Sequence, residues 1–240
     1  MPPKKKRYQK LDPISHILQR PDMYVGPIKT KKEINEWVAD LTSDDPKMIF
    51  KESVTYSPAL LRIFVEALSN AIDNVWRSEK TSTPVTKIRV TISEDTGEVS
   101  ILNDGLGIPV EKDPDHGVYI PEMIFGQLLT GSNYDDEEER LTSGRNGLGI
   151  KLANVLSQTF SVEIYDENTG KLYRKTWENN MRSSQKERIT TPKPKKSYTK
   201  VSWIPDYEKF KIKNYSKNMI RVYYRYVYDA AMLTKVNVYL

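Results

Sequence analysis

The sequence predicts an α+β fold, a two-layer α/β sandwich in which helices cover a mixed, mostly antiparallel sheet. Apolar residues recur at helical spacing in a few stretches, whereas in others they alternate with polar residues, as in half-buried strands. The helical and strand-like stretches fall into separate runs, which favours α+β over a regular βαβ succession.

The N-terminal stretch is predicted to be an irregular arm, because prolines at positions 2, 3, 13, 21 and 27 interrupt any long helix. A short helix over 14–19 fits between two of these prolines. The signals then stay mixed until Val54–Tyr56, which predicts a strand. We therefore divide the chain into an arm, residues 1–30, and one domain, residues 31–240.

The clearest element is a helix that begins at Pro58, where a proline is well tolerated. Its apolar stripe comprises Leu60, Leu61, Phe64, Ala67, Leu68, Ala71, Ile72 and Val75. Its polar face carries Arg62, Glu66, Asn70, Asp73, Asn74 and Arg77. This pattern predicts a helix packed on the sheet with one face turned away from the core.

The remaining elements follow from the same two periodicities. Strands are predicted over 87–92 and 98–103, joined by a Glu-Asp-Thr-Gly turn that suits a hairpin. Helices are predicted over 121–129, 147–158 and 215–232, and further strands over 160–166, 172–177, 199–204 and 235–240. The acidic run Asp135–Glu139 and the Pro/Lys-rich segment Lys193–Lys200 are interpreted as solvated loops.

Composition excludes several kinds of site. The 240 residues include no cysteine and only two histidines, which excludes disulfides, thiolate zinc sites and cysteine nucleophiles and argues against a histidine metal cage. The net charge of +5 is concentrated in the first ten residues, which hold Lys4, Lys5, Lys6, Arg7 and Lys10 and no acid. Without these five cations, basic and acidic residues balance at 32 each, so the net charge does not reflect a globally basic surface.

The Pro58 helix carries the first candidate site. Glu66, Asn70 and Asp73 project from one face at successive turns. An amide oxygen is a hard ligand for Mg²⁺, and a carboxylate one turn away can take a proton from water. A plain solvated face is the competing interpretation, although asparagine is a mediocre helix former and a solvated face more often carries Lys and Glu.

The second candidate is the turn Asn103–Pro109, with the sequence NDGLGIP, which follows a predicted strand. Its two glycines allow a sharp turn and a close approach of the backbone to a ligand. An ordinary turn is an equally good interpretation of these residues taken alone.

The third candidate is Gly144–Lys151, with the sequence GRNGLGIK, which leads into an apolar helix. Glycines free backbone amides to converge at a helix start, where an anion is favoured, and Arg145 and Lys151 add charge suited to phosphate. An acidic loop precedes the motif, so a dinucleotide-binding βαβ unit is excluded. No P-loop motif occurs.

Together and in this order, the three motifs resemble those of the Bergerat-fold (GHKL) ATPases, which include DNA gyrase, type IIA topoisomerases, ninety-kilodalton heat-shock chaperones, mismatch-repair ATPases and histidine kinases. Further segments resemble eukaryotic-type DNA topoisomerase II and not the chaperones or kinases. These segments are Tyr8–Lys10, His16–Leu18, Arg20–Gly26, Tyr119–Gly126, Ser132–Asp136, Trp177–Met181 and Ser197–Val201. The resemblance extends from about Tyr8 to Leu240.

The resemblance implies a role for each matching residue. Glu66 would be the general base that activates water, Asn70 would coordinate Mg²⁺, and Asn103 would recognise the adenine amino group of ATP. Ser132 and Asn133 match ribose and phosphate contacts, and Asn74 and Arg77 are weaker phosphate-side candidates. Tyr8 matches a strap residue that reaches the nucleotide of the opposite protomer. The phosphate-wrapping lid would comprise Gly144, Arg145, Asn146, Gly147, Leu148, Gly149, Ile150 and Lys151. Leu148 and Ile150 replace a common Tyr and Ala of the family, which implies altered lid packing.

The implied function is the ATP-binding and ATP-hydrolysing N-terminal gate of a type IIA DNA topoisomerase, a homodimer that acts on double-stranded DNA. In that family a lysine of the following transducer domain contacts the γ-phosphate, so this chain alone is expected to hydrolyse ATP poorly. The alternative is an ATP-controlled dimerisation module of a chaperone or mismatch-repair type. The segment Pro2–Arg7 resembles a nuclear import signal, which implies a nuclear location, or a viral replication site for a viral source; a solvated tail is the alternative.

Overall fold

The computed structural model of the protein describes residues 10–41, 48–128, 148–193 and 195–240. Its helices are α1 Pro13–Gln19, α2 Asp22–Val25, α3 Pro58–Ser78, α4 Ile120–Gly126, α5 Gly149–Val155, α6 Tyr207–Phe210 and α7 Lys217–Thr234. Its strands are β1 Lys31–Ala39, β2 Met48–Tyr56, β3 Lys87–Ile92, β4 Val99–Asp104, β5 Ser157–Asp166, β6 Lys171–Glu178, β7 Ser183–Ser184, β8 Arg188–Thr190, β9 Tyr198–Pro205 and β10 Asn237–Tyr239.

The main sheet of the described chain has eight strands in the order β10-β3-β4-β9-β5-β6-β7, with β8 also paired to β6. All of its pairings are antiparallel except that of β10 with β3. A separate hairpin is formed by β1 and β2. The predicted α+β sandwich with a mixed, mostly antiparallel sheet is confirmed.

The hydrophobic core lies between one face of the sheet and the helices. Strand β3 alternates strictly, with Ile88 and Val90 buried and the residues between them exposed. The inward side chains of the strands join those of α3, α5 and α7 in a single cluster. The other face of the sheet carries mainly polar side chains, as is common in antiparallel sheets.

The long helix α3 confirms the strongest prediction from the sequence. Ser57 caps its N-terminus by accepting a hydrogen bond from the Leu60 amide, and Pro58 occupies its first turn. Phe64 stacks on Tyr223 of α7 with ring centroids 4.0 Å apart. Burial of this apolar face holds α3 against the core. The candidate site is built on this helix.

The hairpin is the largest feature that the sequence did not predict. Strand β1 was missed, and only the last residues of β2, Val54–Tyr56, were predicted. The register shifts between Glu33 and Glu36, where Asn35 has a φ of 59°. This bulge breaks the two-residue alternation by which a strand is recognised.

Two predicted helices are longer than the observed ones. Helix α4 ends at Gly126, and Gln127 already has an extended backbone; Leu129, the predicted end, lies outside the described residues. Helix α5 ends at Val155, and not at Gln158, because Ser157 begins β5 and its side chain bonds back to the Ala153 carbonyl oxygen. No helix in the described part of the chain has both the length and the apolar character needed to span a membrane.

Candidate active site

Helices α3 and α5 meet at Glu66 and Gly149, which brings the first and third candidate motifs together. Oε1 of Glu66 pairs with the Arg62 guanidinium at 2.6 Å, one turn earlier on the same helix. Its Oε2 lies where a side chain at residue 149 would begin. The glycine therefore makes room for a carboxylate at the first residue of α5.

The second motif is joined to the same helix by Asn74. Its Nδ2 donates a hydrogen bond of 3.0 Å to the carbonyl oxygen of Leu106, in the middle of the Asn103–Pro109 turn. Asp73 and Asn74 are 5% and 8% exposed, so the prediction that both lie on an outward polar face is wrong. Asn74 is buried because α3 packs against this turn at Leu106.

Asn103 lies near the end of β4 on the helix-covered side of the sheet. Its side chain is buried, and its Nδ2 donates to the Asp104 carbonyl oxygen at 3.1 Å. That bond leaves Oδ1 as the acceptor that the side chain can offer to a ligand. Directly opposite Asn103 in the antiparallel register is Thr199 of β9.

Thr199 is a further candidate site residue, which the sequence alone did not indicate. It is half-buried and shares the inward face of β9 with Val201 and Trp203. The alternation of β9 could have shown that Thr199 points towards the helices. Its pairing with Asn103 could not be read from the sequence, because the two strands are almost a hundred residues apart.

Asp104 fixes the start of the turn. Its carboxylate accepts hydrogen bonds from the Thr86 and Lys87 amides at 2.8 and 2.9 Å, from the Thr86 hydroxyl at 2.6 Å, and from Lys196 at 3.1 Å. Burial alone would raise the pKa of this carboxyl, but the hydrogen bonds hold its pKa below the usual value. Asp104 thus ties β3, β4 and the segment before β9 together.

Gly105 and Gly107 are required by the close approach of neighbouring segments. Gly105 has a φ of 99°, and a side chain there would meet the Val85 backbone at 2.6 Å. Its amide donates to the Ser197 carbonyl oxygen at 3.1 Å, and the Ser197 side chain lies against Gly107. Ser197 therefore contacts both glycines of the turn, whereas Asn74 bonds to Leu106 between them.

The start of α5 contains those residues of the predicted lid that the structure describes. Leu148 is half-buried, whereas Ile150 is 7% and Lys151 1% exposed. Burial lowers the pKa of Lys151 to about 8. Asn154 extends the inward side of the helix and donates to the Phe125 carbonyl oxygen of α4 at 2.9 Å.

Two predicted residues of α3 are exposed. Asn70 lies one turn beyond Glu66 and Arg77 two turns beyond Asn70. Among the described residues, no group of three or more His, Cys, Asp or Glu side chains could hold a metal ion. Glu66 and Asn70 lie one turn apart on the same helix.

Seven predicted site residues lie outside the described part of the chain, and their roles stay predictions. They are Tyr8, Ser132, Asn133, Gly144, Arg145, Asn146 and Gly147.

The sequence of this chain is similar to the sequences of known proteins. A family model described as "Histidine kinase-, DNA gyrase B-, and HSP90-like ATPase" matches residues 55–195, which include all three motifs. The DNA topoisomerase 2 of Candida albicans is 45% identical over 235 residues, covering 97% of this chain and 16% of that protein. The DNA topoisomerase 2 of Acanthamoeba polyphaga mimivirus is 40% identical, covering 97% of this chain and 18% of that protein.

Solved structures agree with the sequence relatives. The ATPase region of Saccharomyces cerevisiae topoisomerase II matches with a TM-score of 0.90 and 43% identity, over 97% of this chain and 60% of that one. The ATPase and transducer domains of DNA topoisomerase II from Balamuthia mandrillaris match with a TM-score of 0.91 and 39% identity, over 99% and 60%. This chain thus spans less than a fifth of the curated relatives and about three fifths of the solved ones.

Proposed function

This chain belongs to the family of histidine kinase-, DNA gyrase B- and HSP90-like ATPases, and on that premise we propose that it is the ATP-hydrolysing N-terminal gate of a type IIA DNA topoisomerase. Such an enzyme passes one DNA duplex through a transient double-strand break in another. The observation that carries the proposal is the convergence on α3 of the turn after β4 and the start of α5, through Asn74 and Glu66 respectively.

Glu66 is the general base in this proposal. Because Arg62 holds Oε1, Oε2 stays turned towards the start of α5, where the terminal phosphate of ATP is expected. A water molecule between Oε2 and that phosphate would lose its proton to Glu66 as it attacks. Arg62 is in this view a positioning residue that acts through Glu66.

The adenine end of the nucleotide is assigned to the other end of α3. Oδ1 of Asn103 would accept a hydrogen bond from the adenine amino group, because Nδ2 is already used on the Asp104 carbonyl oxygen. Thr199, opposite Asn103, adds a hydroxyl on the same side of the sheet. Asn74 and Ser197 hold the intervening turn in place through their hydrogen bonds to Leu106 and Gly105.

The phosphates are assigned to the glycine-rich segment 144–149 and the start of α5. The backbone amides of such a segment suit an anion, and Arg145 and Lys151 add positive charge. Asn70 fits a Mg²⁺ site completed by phosphate oxygens, because it is an exposed neutral oxygen ligand one turn from Glu66. Bound Mg²⁺ supplies positive charge that offsets the charge of the phosphates.

The remaining parts of the proposal concern partners and location. The enzyme would be a homodimer in which Tyr8 of the arm reaches the nucleotide of the opposite protomer, so that ATP binding and dimer closure occur together. Double-stranded DNA would be its substrate in the complete enzyme. The basic segment Pro2–Arg7 supports a nuclear location, or a viral replication site for a viral source.

The decisive test is the variant Glu66→Gln, which keeps the shape of the side chain and removes its basicity. Removing a general base lowers turnover about 100-fold or more, while nucleotide binding does not need the negative charge. We expect ATP hydrolysis to fall by that factor and the affinity for a fluorescent ATP analogue to stay within threefold.

A matched control is Glu79→Gln, which changes an exposed carboxylate just beyond the end of the same helix and should leave turnover unchanged. Wild-type turnover in Glu66→Gln would refute the assignment of the base. Failure of the unmodified chain to bind nucleotide would refute the proposed function as a whole.

A further inference from the structure

The face of the main sheet opposite the helices carries an ordered set of polar side chains. One row runs across five strands and consists of hydroxyl residues: Thr91, Ser100, Ser202, Ser161 and Thr176. The next row runs across six strands and consists of Arg89, Leu102, Lys200, Glu163, Arg174 and Arg188. We call these two rows together the open face.

The open face is locally cationic although the chain without its basic tail is neutral. Four of the six residues in the second row are cations and one is an acid. That acid, Glu163, is already bound by Arg174 and by the Tyr198 hydroxyl. Lys200 and Arg188 make no ion pair within the described part of the chain.

Two cations of this row face each other directly. Arg174 of β6 and Arg188 of β8 are partners in the antiparallel register. Like charges placed directly opposite one another destabilise a sheet. Glu163 already offsets the charge of Arg174, whereas Arg188 makes no ion pair among the described residues, so a bound anion would offset the charge that remains at Arg188.

The hydroxyl row provides the floor of a shallow cavity of about 190 Å³. Its lining includes Ser161, Ser202, Thr176, Arg174 and Lys200, together with Glu163, whose carboxylate is already bound by Arg174 and the Tyr198 hydroxyl. Ser202 is only 6% exposed, and its hydroxyl has no hydrogen-bond partner among the residues that the structure describes. Hydroxyl donors beside Lys and Arg are the groups that proteins use to hold phosphate oxygens.

The length of the second row and the exposure of the aromatic residues on this face favour a double-stranded over a single-stranded nucleic acid. Six strands about 4.8 Å apart make a row about 24 Å long, enough for several successive backbone phosphates. A single strand would also need exposed aromatic rings on which bases can stack. Tyr165 is 1% exposed and Tyr198 lies under the Lys195 ammonium. Tyr239, which is 44% exposed beside Arg89 at the end of the row, is covered on one side by the Arg89 guanidinium, so the described part of this face lacks the succession of free rings that a single strand would need.

We propose that the open face binds the phosphate backbone of double-stranded DNA, on the side of the sheet opposite the nucleotide site. The choice of DNA among polyanions rests on the proposed topoisomerase function, while the anion site itself does not. The Pro/Lys-rich segment that precedes β9 adds the exposed Lys195, whose ammonium lies over the Tyr165 and Tyr198 rings at one end of this face.

The test compares two double variants of this chain in which the same amount of positive charge is removed. Lys200→Gln with Arg188→Gln removes two cations of the open face. Lys213→Gln with Lys217→Gln removes two exposed cations between α6 and the start of α7. All proteins keep the basic N-terminal tail, so its contribution to DNA binding is the same in each.

Binding of a 20-base-pair duplex would be measured by fluorescence anisotropy at several salt concentrations. The open-face variant is expected to bind at least tenfold more weakly at 0.1 M salt. Its plot of log affinity against log salt should be less steep by about two, one unit for each phosphate that the protein no longer neutralises. The control variant should match the unmodified chain in both quantities.

Three results would overturn the proposal. The first is failure of the unmodified chain to bind duplex DNA, and the second is an equal weakening of binding in the control variant. The third is competition by polyglutamate as strong as that by DNA, which would indicate an acidic protein partner. Melting temperatures measured on the same samples separate a loss of DNA binding from misfolding. Binding of the ATP analogue separates it from failure of the proposed ATPase function.

Discussion

At residue 149 the absence of a side chain decides where a carboxylate can lie. The backbone of Gly149 is not in the left-handed region, so this glycine is not required by a turn. It is required because the Glu66 carboxylate occupies the space of its missing Cβ. Alanine would stabilise the helix more than glycine at this position, but only glycine leaves space for the Glu66 carboxylate.

Gly149→Ala is therefore expected to lower the rate of ATP hydrolysis without lowering the stability of the fold. The Glu66 carboxylate is the far end of a flexible side chain and can move away, and alanine is a better helix former than glycine. We expect a melting temperature equal to or above that of the unmodified chain, and ATP turnover at least tenfold lower.

A double-mutant comparison makes this prediction specific. If Gly149→Ala acts by displacing Glu66, it should lower turnover no further in the Glu66→Gln background. An additional decrease of similar size in that background would contradict the displacement, and a large fall in melting temperature would indicate a structural role.

At the scale of elements, the turn after β4 depends on a carboxylate that joins three segments. Asp104 receives backbone bonds from the start of β3 and a side-chain bond from Lys196, in the segment that precedes β9. Gly105 then bonds to Ser197 in the same segment. The turn after β4 is thus held by segments that meet only in the folded protein.

Asp104→Asn should destabilise the protein by about 2 kcal/mol at pH 7, because hydrogen bonds to a charged group are the stronger kind. The pKa of Asp104 in the folded protein lies below its usual 3.8. Its contribution to the free energy of unfolding is therefore complete above pH 3.8 and is lost as the pH falls through the pKa of the folded state. Urea unfolding should show the difference from wild type shrinking below about pH 3.8.

The exposed Asp95→Asn, in the turn between β3 and β4, is the control and should change stability by less than about 0.5 kcal/mol. A difference between wild type and Asp104→Asn that stayed constant down to about pH 2 would show that the carboxylate charge is not the cause.

At the scale of the whole molecule, the proposed gate should associate when nucleotide binds. Sedimentation of the chain with a non-hydrolysable ATP analogue should show about twice the mass found without it, since Tyr8 of each protomer would complete the site of the other. Tyr8→Ala should shift this equilibrium towards monomer. The chain remaining monomeric at saturating analogue would contradict the proposed closure.

Much of the fold followed from local patterns. Helix α3 and strand β3 were predicted almost to the residue, because one face of each is buried and its periodicity is unbroken. The hairpin of β1 and β2 was missed because a bulge at Asn35 interrupts the alternation. The ends of α4 and α5 were misplaced because apolar residues continue from the helix into the following segment.

The sequence by itself determined the fold class, the family and the three motifs, since turn glycines, caps and periodic burial are local properties of the chain. Only the tertiary structure decided that Asp73 and Asn74 are buried, that Lys151 is enclosed, and that Thr199 faces Asn103. It alone aligned Arg174 with Arg188 on the open face. These relations depend on strand order and helix packing, which join residues far apart in the chain and therefore leave no periodic signal in the sequence.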